Sequence, residues 1–180
     1  MNDLYRASEP VTFELNGETV TRSVPAATPL LDLLREDGQC TSVRPGCRIG
    51  RCGACNVLMD GQAMPACLIM AWQLPGRRIE TVEGLGGDPD FLRVRQALVE
   101  ESALQCGYCT PGFALSLVSG LRERRQGNPV DLGEAIAGNL CRCTGYGGLK
   151  RAVEKHLSPC SSTSSDGGTV SKKQISGEPE

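Results

Sequence analysis

Eight of the ten cysteines fall into two spaced sets of four, and no other feature of the 180-residue sequence restricts its fold so strongly. Cys47, Cys52, Cys55 and Cys67 form a CxxxxCxxC run followed, after eleven intervening residues, by a fourth cysteine. Cys106, Cys109, Cys141 and Cys143 form a CxxC and a CxC pair with thirty-one residues between them. Four thiolates that share one centre must approach it from several sides, which neither a helix nor a strand can arrange alone. The fold must therefore carry two thiol-lined loops or helix ends. Ten cysteines in 180 residues is about 5.6%, short of the roughly 8–10% of a small secreted disulfide scaffold. The opening MNDLYRASEP has no apolar leader stretch. The expectation is a soluble cytoplasmic chain, and in that reducing compartment closely spaced cysteines are more often ligands than disulfides.

The lone histidine, His156, excludes any site built on two imidazoles, including zinc sites with two histidines, Rieske centres and two-histidine iron triads. It is placed near the end of the last helix and assigned no chemistry. Nineteen basic against twenty-one acidic residues give a formal charge of −2, so there is no field to hold a nucleic acid or an anionic membrane. The longest apolar run, Ala63 to Trp72, is far below the roughly 20 residues of a membrane span.

Val11, Phe13 and Leu15 alternate with polar residues, Asn16-Gly17 is a hairpin signal, and Thr19 to Val24 continues as the return strand. Thr28-Pro29 opens a short helix to Arg35 with Leu30, Leu31, Leu33 and Leu34 on its apolar face. From Gly38 to Cys55 the periodicity vanishes, as a loop wrapped around something requires. A second hairpin turns at Asp60-Gly61, and Arg78 to Val82 is a last strand. Gly84 to Gly87 reads as a linker; Pro89 occupies the third glycine position of a dinucleotide loop, which excludes that motif. Beyond it come four helical segments: from Asp88-Pro89 with Phe91, Val94 and Leu98 on one stripe, from a Thr110 cap to Leu121, from an Asp131/Glu134 capping box, and from Gly148 to Leu157. The last 23 residues hold seven serines and no aromatic, and are expected to be disordered in the isolated chain. Met64, Met70 and Trp72 read as core.

The first three cysteines of the first set have plant-type [2Fe–2S] spacing. Gly46, Gly50 and Gly53 give the loop freedom to curl, and Arg44, Arg48 and Arg51 lie where they offset cluster charge. A four-thiolate zinc site is the alternative, although zinc knuckles favour two CxxC pairs. In the second set Cys109 adjoins a helix N-terminus, whose partial positive charge favours thiolates. By spacing alone CxxC with CxC also suits zinc, copper or a redox dithiol. Cys40 and Cys160 belong to neither set.

Taken together, PGCRIGRCGACNVLMDG with Cys67 following, QCGYCTPGF and NLCRCTGYGG resemble the iron–sulfur subunit of the molybdenum hydroxylases, the family of xanthine dehydrogenase, aldehyde oxidoreductase and aerobic carbon monoxide dehydrogenase. The resemblance implies an α+β chain: a β-grasp, ferredoxin-like [2Fe–2S] domain over 1–84, an all-α four-helix [2Fe–2S] domain over 88–157, and a serine-rich tail over 158–180. It implies that Cys47, Cys52, Cys55 and Cys67 hold the outer cluster and Cys106, Cys109, Cys141 and Cys143 the inner one. Gln105 and Cys143 would approach the pterin of a molybdenum cofactor in a separate large subunit. Electrons would then leave through both clusters to FAD in a flavin subunit, or to a cytochrome. Competing readings are a free-standing two-cluster ferredoxin and a zinc-stabilised interaction module.

Overall fold

In the computed structural model the described residues are 8–36 and 40–158. The expectation for the tail, and with it Cys160, lies outside them apart from Ser158. Strands β1 (Ser8–Leu15) and β2 (Glu18–Pro25) pair antiparallel across Asn16 and Gly17, whose φ of 52° and 87° place both central residues in the left-handed region that a two-residue hairpin demands. Helix α1 (Leu30–Glu36) follows, with its four leucines buried as the pattern predicts. After the loop of the first cysteine set, β3 (Asn56–Met59) and β4 (Gln62–Pro65) form the second hairpin, and β5 (Arg78–Glu80) completes the sheet. The strand order is β2-β1-β5-β3-β4, with β1 and β5 parallel and the other pairs antiparallel. Phe13, Leu30, Leu31, Val57, Ile69 and Ile79 fill the core between sheet and α1, and Cys40 is buried among them as a small apolar residue.

β5 ends two residues before the predicted boundary. The Asn16 side chain accepts the Thr81 N–H at 2.8 Å, and Val82–Gly84 close into a 3-10 turn. The stretch read as a linker is likewise tied down: a Cβ on Gly84 would meet Asn16 Oδ1 at 2.4 Å, and Leu85 is buried in the helical core.

Helix α2 (Pro89–Glu100) is capped by Asp88, which accepts the Phe91 N–H at 2.8 Å. α3 (Thr110–Arg125) runs four residues past the predicted end, and Cys109 rather than Thr110 stands at its N-cap, with no side-chain cap hydrogen bond. α4 (Leu132–Ala135) is a single turn; Asp131 takes the Gly133 N–H at 2.7 Å, so the predicted box with Glu134 is replaced by a tighter one-residue cap. α5 (Gly147–Ala152) continues into a π turn over Val153–Leu157. The arrangement is a mixed sheet with several helices, α+β as expected. Leu58 of β3 is fully buried in the helical core beside Phe113 and Leu117, so the sheet packs on α3. Burying one such side chain contributes roughly 1.5–3 kcal/mol to this contact. Trp72 corrects the core reading: the turn over Ala71–Gln73 buries Ala71 and Leu74 and leaves Trp72 64% exposed, while Met64 packs on the core and Met70 is half-buried.

Candidate metal centres

The loop from Cys40 to Cys55 curls because Arg48, Gly50 and Gly53 adopt positive φ. Glycine is required at position 46 for a different reason, since a Cβ there would lie 2.6 Å from Cys52 Sγ. The curl turns backbone N–H groups toward sulfur. Cys47 Sγ accepts from Arg51 at 3.1 Å and Ile49 at 3.5 Å, Cys67 Sγ from Gly50 at 3.3 Å, and Cys52 Sγ from Cys47 at 3.4 Å. The four thiols form two close pairs, Cys47 with Cys52 and Cys55 with Cys67.

The second set has the same plan. Cys106 and Cys143 Sγ are 3.5 Å apart, and Cys109 pairs with Cys141. Cys141 Sγ accepts from the Thr144 hydroxyl at 3.2 Å and the Thr144 N–H at 3.4 Å. Tyr146, held at φ 63°, accepts the Cys141 N–H on its hydroxyl at 2.8 Å and meets Phe113 edge-on. The pairs differ in exposure: Cys106 and Cys143 are exposed, as is Gln105, whereas Cys109 and Cys141 are partly covered.

Acidity follows these surroundings. The Ile49 N–H, with help from Arg51, lowers Cys47 to about 7. Burial pushes Cys55 up to about 11 and Cys109 up to about 12, and at Cys109 the neighbouring Cys141 thiol adds to the rise. Cys141 is also penalised by burial, yet the Thr144 hydroxyl and N–H bring it down to about 7. Cys106 is lowered by the Tyr108 N–H, and its proximity raises Cys143.

Such a donor set fits a [2Fe–2S] centre, in which each of two irons takes two thiolates and the N–H groups offset the sulfur charge. A single zinc ion would need its ligands to close on one point. The arginines also have partners of their own. Arg48 forms a bidentate pair with Asp32 at 2.8 and 3.0 Å, and Arg44 donates to the Gly107 carbonyl at 2.9 Å while stacking on Tyr108. Arg51 supplies its backbone N–H. Beside its Asp32 pair, Arg48 keeps electrostatic contact with Cys67 and Cys55, as expected of a residue that offsets charge there.

Several residues at the centres carried no assigned role in the sequence: Tyr108, whose hydroxyl donates to the Pro45 carbonyl at 2.7 Å, and Asn56, Ser116, Asn139, Thr144 and Tyr146. The signal for four of them, Tyr108, Asn139, Thr144 and Tyr146, was their place inside the QCGYCTPG and NLCRCTGYGG elements. His156, assigned no chemistry, sets Nδ1 3.2 Å from Glu100 and Nε2 3.1 Å from Glu101, joining the ends of α2 and α5.

Comparison with known proteins gives two domain matches that meet at residue 81. The model of a 2Fe-2S iron-sulfur cluster binding domain covers residues 13–81, and that of a [2Fe-2S] binding domain covers 81–154. The chain is 43% identical to the nicotine 6-hydroxylase small subunit of Paenarthrobacter nicotinovorans, over 79% of this chain and 86% of that one. It is 42% identical to the xanthine dehydrogenase iron-sulfur-binding subunit of Escherichia coli O157:H7, over 77% and 89%. The structure of quinoline 2-oxidoreductase from Pseudomonas putida 86 matches with a TM-score of 0.70 at 35% identity, over 83% of this chain and 92% of that chain.

Proposed function

Because this chain belongs to the family of iron–sulfur subunits of the molybdenum hydroxylases, we propose that its eight paired cysteines are the ligands of its two [2Fe–2S] clusters and that Gln105 and Cys143 form its contact toward a molybdenum–pterin centre. The chain is the electron-transfer subunit of an oxidoreductase complex. Bound in it, the two clusters supply one-electron carriers between a substrate-oxidising centre and an acceptor. The chain's own residues hold the sulfurs, donate N–H groups to them and keep water from Cys55 and Cys67. None of them moves a substrate proton.

The pairing of thiols two by two, each centre lined by N–H donors, carries the ligand assignment. Cys47 and Cys52 would share one iron of the outer cluster and Cys55 and Cys67 the other; Cys106 with Cys143 and Cys109 with Cys141 would divide the inner cluster likewise. The exposed Cys106–Cys143 edge, beside Gln105, supports placing the large molybdenum subunit there. The outer centre would then face a flavin subunit carrying FAD, or a cytochrome. The sheet order with α1 packed across it supports the β-grasp reading of 1–84, and the helices after Asp88 support a separate four-helix domain over 88–157. Among the described residues no helix is long and apolar enough to cross a membrane.

Purification of the native complex with metal analysis tests this. About four irons and four acid-labile sulfides per chain, visible absorption bleached by dithionite, and a co-purifying molybdenum-containing chain are expected. A colourless chain with two zinc ions overturns the cluster assignment. Loaded clusters without a molybdenum chain at any salt concentration point instead to a free-standing carrier.

A further inference from the structure

The two cysteine loops meet at a buried seam. Leu140, immediately before Cys141, donates its N–H to the Cys52 carbonyl at 3.0 Å. One residue away on both sides, the Asn139 side chain donates to the Gly53 carbonyl at 3.2 Å. The Asn139 amide is itself held: its oxygen accepts the Ser116 hydroxyl at 2.9 Å, and that hydroxyl accepts from the Asn56 side chain at 2.9 Å. Asn139 is 3% and Ser116 3% exposed, so the Ser116–Asn139–Gly53 stretch of this chain of bonds is shielded from water. Glycine at 53 is required by the same contact, because a Cβ there would lie 2.4 Å from Asn139 Nδ2.

From these contacts we infer that Asn139 is a positioning residue that fixes the separation of the two centres by holding in register the loops that the Leu140–Cys52 hydrogen bond joins. Cys52 and Cys141 are thereby joined through main chain on both sides and one hydrogen bond. Neither partner of that bond is a side chain, so no rotamer can interrupt it; only a shift of one loop against the other can. Asn139 prevents the shift by gripping the next carbonyl from the preceding residue. A buried amide with both ends satisfied resists displacement, since moving it strands polar groups away from water. The transfer this bridge serves moves one electron and changes no covalent bond or proton. The inference rests on the proposed ligand assignment.

The test uses the full chain in its native complex with both clusters loaded. Iron and sulfide content of the wild-type complex checks the ligand assignment separately, so its failure is recognised before any variant is read. In Asn139→Ala we expect both clusters to remain, with the magnetic interaction between the two reduced centres altered in the electron paramagnetic resonance spectrum. Electron transfer between them after flash reduction should slow about tenfold, as small misplacements of reacting groups do. Wild-type splitting and wild-type rate with both clusters present would overturn the inference. If Asn139→Ala loses a cluster, Ser116→Ala decides: it leaves the Gly53 bond but frees the amide to rotate, and should slow the transfer about threefold. An unaltered rate and spectrum in that variant overturns it equally.

Discussion

The carbonyl oxygen of Gly53 lies 2.0 Å from the point that a Cβ on Gly112 would occupy. The start of α3 thus rests directly on the loop of the first cysteine set, backbone against backbone. Gly112→Ala should destabilise the loaded chain by about 3 kcal/mol, near the upper end of overpacking costs, because the obstructing atom is main chain. Gly86→Ala, where a Cβ meets nothing within 4 Å, should change stability by less than about 0.5 kcal/mol. Denaturant midpoints followed by circular dichroism compare the two; equal midpoints would show that the seam yields freely.

Loss of Cys47 or Cys109 to serine should remove one cluster and leave about two irons per chain. Cys40→Ser should leave iron content intact, since Cys40 is packed in the core, where the Thr81 hydroxyl donates to its sulfur at 3.8 Å. Among the ligands, Cys143→Ser should depress substrate-driven dye reduction far more than Cys40→Ser. Equal and negligible losses would refute the placement of Cys143 at the molybdenum side.

Arg122 of α3 joins three elements by pairing with Glu80 at the end of β5 at 2.8 Å and with Asp88 at the cap of α2 at 3.0 Å. All three side chains are about four-fifths covered, so Arg122→Met strands two carboxylates and should cost about 2 kcal/mol at neutral pH. Burial alone would raise Asp88, but the Phe91 N–H and the Arg122 guanidinium hold it below the ordinary carboxylate value. Its contribution is present above about pH 3.9 and is lost as pH falls through the lowered value. The stability gap between wild type and Arg122→Met should therefore narrow in acid; a gap that widens there contradicts this account.

Glu101 accepts from His156, Arg151 and Lys155, and these partners lower it to about 2. With a folded value below the ordinary 4.5, its stabilising contribution is complete above that value and declines as pH falls toward 2. Glu101→Gln should lower the thermal midpoint at pH 7 and converge with wild type in acid. The difference should also shrink in high salt, because the basic partners Arg151 and Lys155 are exposed. A pH-independent difference would mean that packing, not charge, holds the ends of α2 and α5 together.

Local chemistry was legible in the sequence. Asn16-Gly17 and Asp60-Gly61 announced both hairpins because two-residue turns require left-handed residues. The four leucines of α1 announced its buried face. A departure came where a distant partner intervened: Asn16 shortened β5 by capturing Thr81. Trp72 is apolar in composition, but the turn that carries it faces outward.

The cysteine spacings determined by themselves that this chain holds two separate four-thiol sets and which loops supply them, because ligand type and local reach are properties of short segments. Only the tertiary structure decided which thiols pair and how the two sets are joined. The Asn139–Gly53 contact links residues 86 positions apart, and a bond of that range exists only when the packing of α3 on the sheet has already brought both loops to one place.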